Sequence, residues 1–64
     1  MQLLRVTYSH KPARYYVDGR RVTRDSYWDS VDARERAGGR LNSFSTRTSY
    51  DAAGNATARH YSSI

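Results

Sequence analysis

The chain has no cysteine, one proline, one lysine and four glycines in 64 residues. Each scarcity removes an option. Without cysteine no disulfide can staple the fold, and a structural zinc would have only His10 and His60, fifty positions apart, as soft ligands. No apolar run approaches the ~18 residues of a membrane-spanning helix. No charged head followed by an apolar core opens the sequence, so it reads as a cytosolic protein outside the membrane. The phosphate-cradling frames GxxxxGK[ST] and GxGxxG are missing, and Arg40–Ser45 does not carry the aromatic signature of RNA-recognition domains. No GXXG loop or paired-Cys/His spacing occurs, and the one expected helix cannot build a helix-turn-helix. No cofactor is expected.

What the chain does contain is arginine and tyrosine. Ten arginines and the lysine outweigh six acids to give a net charge of +5 and a pI near 10.1, and six tyrosines dominate the 12% aromatic content. The guanidinium fork and the phenol ring make directional contacts at modest entropic cost, which suits a gripping surface. A basic balance favours anionic partners, whether nucleic acid or an acidic protein face. The length allows a single domain, residues 1–64, with a core worth only about 3–5 kcal/mol net. Such a domain gains from association, and a homodimer or completion on a partner is expected.

The local patterns predict an α+β fold in the order β-β-α-β-β, one helix packed on a largely antiparallel sheet. Residues 3–8 alternate Leu4, Val6 and Tyr8 with Leu3, Arg5 and Thr7, the period of a half-buried strand. Arg14 to Val17 reads as a second strand, closed by Asp18-Gly19, a dipeptide suited to a type I′ turn. Arg20-Arg21-Val22 returns briefly. Thr23 then caps a helix expected over 24–37, with Asp25 in its first turn and Val22 and Tyr27 as a hydrophobic staple. Tyr27, Trp28 and Val31 form one stripe with Ala33 and Ala37 beside it, which favours Trp28 as a core residue over an anchor in a partner's pocket. Gly38-Gly39 stops the helix. Phe44, Thr46, Thr48 and Tyr50 alternate with Ser43, Ser45, Arg47 and Ser49, and residues 51–55 make a hairpin loop before a last strand at Thr57–Ser62.

If the apolar parity of each strand lies under the helix, the opposite face carries Arg5, Arg14, Tyr16, Arg47, Arg59 and Tyr61, mixed with Thr7 and Ser45. Interleaved Arg and Tyr on a sheet can stack bases and neutralise phosphates, or form a protein-binding hot spot. A plain solvated face is the third reading. A second cluster, Arg20, Arg21 and Arg24, stands at the hairpin tip and helix start, where cations oppose the helix dipole. His60, Ser62, Ser63 and Asp51 are triad residue types confined to one hairpin, where base, nucleophile and orienter cannot easily align, so no catalysis is expected. The pair Asp29 and Asp32 is expected to be a solvated helix face.

The stretch from Tyr15 to Tyr27, Tyr-Tyr-Val-Asp-Gly-Arg-Arg-Val-Thr-Arg-Asp-Ser-Tyr, resembles a strand–turn–helix opening of small accessory proteins of phages, anti-CRISPR inhibitors among them. That resemblance implies a non-enzymatic inhibitor or adaptor in the host cytoplasm, docking on an acidic host protein or a nucleoprotein complex. Many such proteins are acidic DNA mimics, and the positive charge here departs from that type. Direct binding to an RNA or DNA backbone is the alternative.

Overall fold

A type I′ turn sets the phase of the first half of the molecule. In the computed structural model, which describes residues 1–64, Asp18 and Gly19 take φ of 49° and 80°, joining β2 (Arg14–Val17) to β3 (Arg20–Val22). This register pairs Tyr15 with Val22 and Val17 with Arg20 on one face, and Tyr16 with Arg21 on the other. Asp18 also ties the turn to β1 (Gln2–Tyr8): its carboxylate accepts the Gln2 N–H at 2.9 Å, and its own N–H donates to the Gln2 carbonyl at 2.9 Å.

The brief return at residues 20–22 is therefore a full third strand, so the order is β-β-β-α-β-β rather than β-β-α-β-β. With β4 (Asn42–Tyr50) and β5 (Ala56–Ser63), the strands form one sheet in the order β3-β2-β1-β5-β4. Every neighbouring pair is antiparallel. The fold is α+β, as the patterns predict.

The helix α1, Arg24–Arg36, starts and stops where its chemistry dictates. Thr23 Oγ1 accepts the Ser26 N–H at 3.1 Å, satisfying one orphan donor of the first turn. At the other end Gly38 N–H donates to the Glu35 carbonyl and Gly39 N–H to the Arg34 carbonyl. Gly38 is in the left-handed region at φ 95°, which makes this a Schellman stop.

The helix buries Tyr27 and Val31 against Leu3, and Met1, Tyr15, Val17, Val22, Leu41 and Ile64 pack around them. Trp28 is not core. It stays 40% exposed, edge-on to the Tyr27 ring at 5.0 Å. Ala33 and Ala37 are exposed as well. The stripe is one residue wide per turn because the helix leans over β2, where Tyr15 meets Tyr27 at 5.1 Å, and leaves β4 uncovered.

The facing of β1 is opposite to the expected one. Leu3 pairs with Val17 and Arg5 with Tyr15, so Leu3, Arg5 and Thr7 lie on the helix side and Leu4, Val6 and Tyr8 on the open side. Two adjacent leucines make the alternation of β1 ambiguous. The phase fixed by the Asp18-Gly19 turn resolves it, since β2 and β3 offer Tyr15, Val17 and Val22 to the helix.

Candidate anion-binding face

The open side of the sheet is an ordered array. Directly opposed residues in antiparallel strands share a face, so the pairings define its rows. One row runs Arg21, Tyr16, Leu4, Tyr61, Ser45 across all five strands. The next runs Arg14, Val6, Arg59, Arg47 from β2 to β4. A third holds Tyr8, Thr57 and Ser49. Rows stand about 7 Å apart and strands about 4.8 Å apart, so three cations span about 15 Å beside a row containing two phenols.

Val6 sits in the middle of this array yet is only 4% exposed. Arg14 and Arg59 are its direct cross-strand neighbours on either side, long side chains whose aliphatic stems can shield an apolar residue while the charged heads stay in water. At the end of the array the Lys11 Nζ lies 4.3 Å above the Tyr8 ring and the Arg14 guanidinium lies 5.9 Å from it, a pair of cation–π contacts that add a fifth positive charge to this surface.

No strand contains an acid. The six acidic residues are confined to α1 (Asp25, Asp29, Asp32, Glu35) and to two turns (Asp18, Asp51). The open face thus carries Arg14, Arg21, Arg47, Arg59 and Lys11 with no carboxylate among them. Arg47 is directly opposite Arg59. Like charges at such a position oppose folding, so stability does not account for the pair.

Of the residues expected on this face, Arg14, Tyr16, Arg47, Arg59 and Tyr61 are brought together. Arg5 is not. It points to the helix side, where its Nε is buried without a hydrogen-bond partner, and it lines an open cleft of about 220 Å³ with Trp28, Phe44, Thr46 and His60. The cluster of Arg20, Arg21 and Arg24 is also divided. Adjacent strand positions face opposite ways, so Arg21 joins the open face, Arg20 turns to the helix side, and Arg24 begins α1. Tyr8, Leu4, Val6 and Lys11 were not expected there. Tyr8 was detectable only through the true facing of β1, and Lys11 lies in a loop whose course no periodicity reveals.

The triad residue types do not assemble. The His60 ring bridges two strands, its Nε2 lying 3.1 Å from Thr7 Oγ1 and its Nδ1 3.3 Å from Thr46 Oγ1. The Asp51 carboxylate is held by its own loop, accepting from the Ala53 and Asn55 N–H groups, each at 2.9 Å, and from Asn55 Nδ2 at 3.2 Å. These bonds, those of Asn55 foremost, hold the Asp51 carboxyl below its ordinary value of 3.8.

No protein-family model, curated protein or solved structure matches this chain. What the surface does must therefore be argued from its chemistry. It offers guanidinium forks for an anionic backbone and, at the adjoining row, the exposed phenol ring of Tyr61 and the half-buried one of Tyr16, without a carboxylate to repel such a ligand.

Proposed function

We propose that the chain acts by binding, and that its open sheet face grips a single-stranded nucleic acid, free or displayed by a nucleoprotein. The opposed, unneutralised Arg47 and Arg59 beside Tyr61 carry this reading. Their repulsion costs stability in the isolated protein and is relieved when a phosphate lies between them. Tyr16 and Tyr61, on either side of Leu4 in the neighbouring row, supply platforms on which bases stack irrespective of sequence. Double-stranded partners fit less well, because a sheet face has no element shaped for the major groove.

The test is a fluorescence anisotropy titration with random single- and double-stranded oligonucleotides at several salt concentrations. Binding should favour single strands and weaken with salt, at a log–log slope of about −0.7 per neutralised phosphate. Arg47→Gln with Arg59→Gln should reduce the slope by about 1–1.5 in magnitude, and Tyr61→Ala should cost about 1–3 kcal/mol of binding. Absence of binding at low salt would overturn the proposal.

A second reading is the phage-type inhibitor or adaptor that docks on an acidic host protein. The same Arg and Tyr residues suit a hot spot, and the resemblance of residues 15–27 to phage accessory proteins favours it. Such a dock, anchored by tyrosines, should be far less salt-sensitive than phosphate binding.

A further inference from the structure

The sheet has two edges of different kinds. β3 is three residues long and runs at once into the helix cap. β4 is nine residues long, and all nine are exposed. It contains neither proline nor lysine, the residues that commonly blunt such an edge. The Asp51 N–H donates to the Asn55 carbonyl at 3.1 Å, which fixes the phase of the ladder. Odd-numbered residues of β4 turn their backbone groups toward β5, and those of Thr46, Thr48 and Tyr50 point outward. Beside this row Phe44 and Tyr50 are 71% and 72% exposed.

We infer that the β4 edge pairs with β4 of a second copy in an antiparallel, two-fold arrangement centred on Thr48. Register selects the centre. Outward groups must face outward groups, which any residue-centred register satisfies, and of these the centres at Thr46, Arg47 and Thr48 keep residues 46–50 or more of β4 within the ladder. A centre at Arg47 sets that residue against the partner's Arg47, a like-charge opposition. One at Thr46 runs the ladder into the irregular segment between Asn42 and Ser45, where Ser43 has φ of 56°. A centre at Thr48 has neither fault. It pairs Thr48 with the partner's Thr48, Arg47 with the partner's Ser49, and Thr46 with the partner's Tyr50, which then lies diagonally beside Phe44 within aromatic reach. Two exposed rings on each copy are thereby covered by the other.

The resulting sheet is continuous across the two copies, with both open faces on one side and the arginine row of each copy running into the row of the other that ends at Ser49. The dimer itself does not depend on what those faces bind.

Because the chain has no cysteine, single-cysteine variants report the register directly. Sedimentation velocity on the full chain from micromolar to submillimolar concentration should show a monomer–dimer equilibrium. Thr48→Cys should form a disulfide-linked dimer on mild oxidation, since directly opposed hydrogen-bonded residues stand about 5.5 Å apart at Cα, within disulfide range. Thr46→Cys should not, because its counterpart lies four residues along the ladder. Thr48→Pro should remain monomeric with an unchanged circular dichroism spectrum, as the N–H it removes makes no bond within the chain. A chain that stays monomeric throughout the range, a Thr46→Cys variant that links as readily as Thr48→Cys, or a folded Thr48→Pro variant that still dimerises would each overturn the assignment.

Discussion

Arg47 and Arg59 face one another across β4 and β5, and this pair is where stability and binding pull apart. Replacing Arg47 by threonine removes a like-charge opposition and supplies a better strand former. Arg47→Thr is therefore expected to raise stability by about 0.2–1 kcal/mol, read as a rise in Tm, while weakening oligonucleotide binding. A fall in Tm would mean that the two guanidinium groups do not repel in the folded chain. Gly38 shows the reverse case, a residue chosen only for the fold. At φ 95° it occupies the left-handed region with open space where a Cβ would stand, so the cost of a side chain is conformational alone. Gly38→Ala should destabilise by about 1–2 kcal/mol, and a kilocalorie moves the Tm of a domain this size by about 4–8 °C. Oligonucleotide affinity should be unchanged, because Gly38 ends the helix on the far side from the open face.

At the scale of elements, no residue within β4 or β5 is buried, and the hairpin is held by polar devices at both ends in addition to Leu41 and Ile64 at its base. Near its base, Asn42 Oδ1 accepts hydroxyl hydrogen bonds from Ser43 and Ser63, and His60 straps β5 to Thr7 and Thr46. At its tip, the Asp51 carboxylate gathers the loop amides. The folded-state value of Asp51 lies below the ordinary 3.8, so its contribution is present in full above that ordinary value and is lost as pH falls through the lower, folded-state value. Wild-type Tm should accordingly drop more between pH 5 and pH 3 than the Tm of Asp51→Ala, which has already lost those bonds at both pH values. Parallel pH dependences for the two proteins would show that the loop bonds do not stabilise the hairpin. Amide exchange at Ala53 and Asn55 offers a local check, with faster exchange expected in the variant.

The whole molecule is longer and more open than its mass suggests. Its radius of gyration is 12.8 Å and its extents are 43 × 22 × 15 Å, where a compact chain of this length has a radius of about 10.7 Å. Its accessible surface of 4696 Å² exceeds the roughly 4200 Å² usual for such a mass. Only Leu3, Val6, Tyr27 and Val31 are buried. A core this small leaves no reserve: Leu3→Ala, at about 2–5 kcal/mol, approaches the entire stability of about 3–5 kcal/mol available to a domain of this size. That variant should be largely unfolded at 25 °C by circular dichroism. Burial of the β4 edge in a second copy would make wild-type Tm rise with protein concentration, a dependence that Thr48→Pro should abolish.

Local chemistry was enough to place the helix and its caps, because Thr23, Asp25 and the Gly38-Gly39 stop act within a few residues of one another. The same holds for the Asp18-Gly19 turn, the loop at 51–55 and the alternation of β4 and β5, which together yield the α+β class. The grouping of Arg14, Tyr16, Arg47, Arg59 and Tyr61 on one side also followed from parity alone. The facing of β1 did not, since Leu3 and Leu4 are equally apolar and only their pairing with Val17 and Tyr16 tells them apart. With that pairing Arg5 moved to the helix side and Tyr8 to the open face, while the alternation of β3 parted Arg20 from Arg21. Trp28 left the core for a related reason: the lean of the helix over β2, a property of packing between distant segments, selects Tyr27 and Val31. Short-range chemistry fixes what each segment is, and long-range pairing fixes which way it faces.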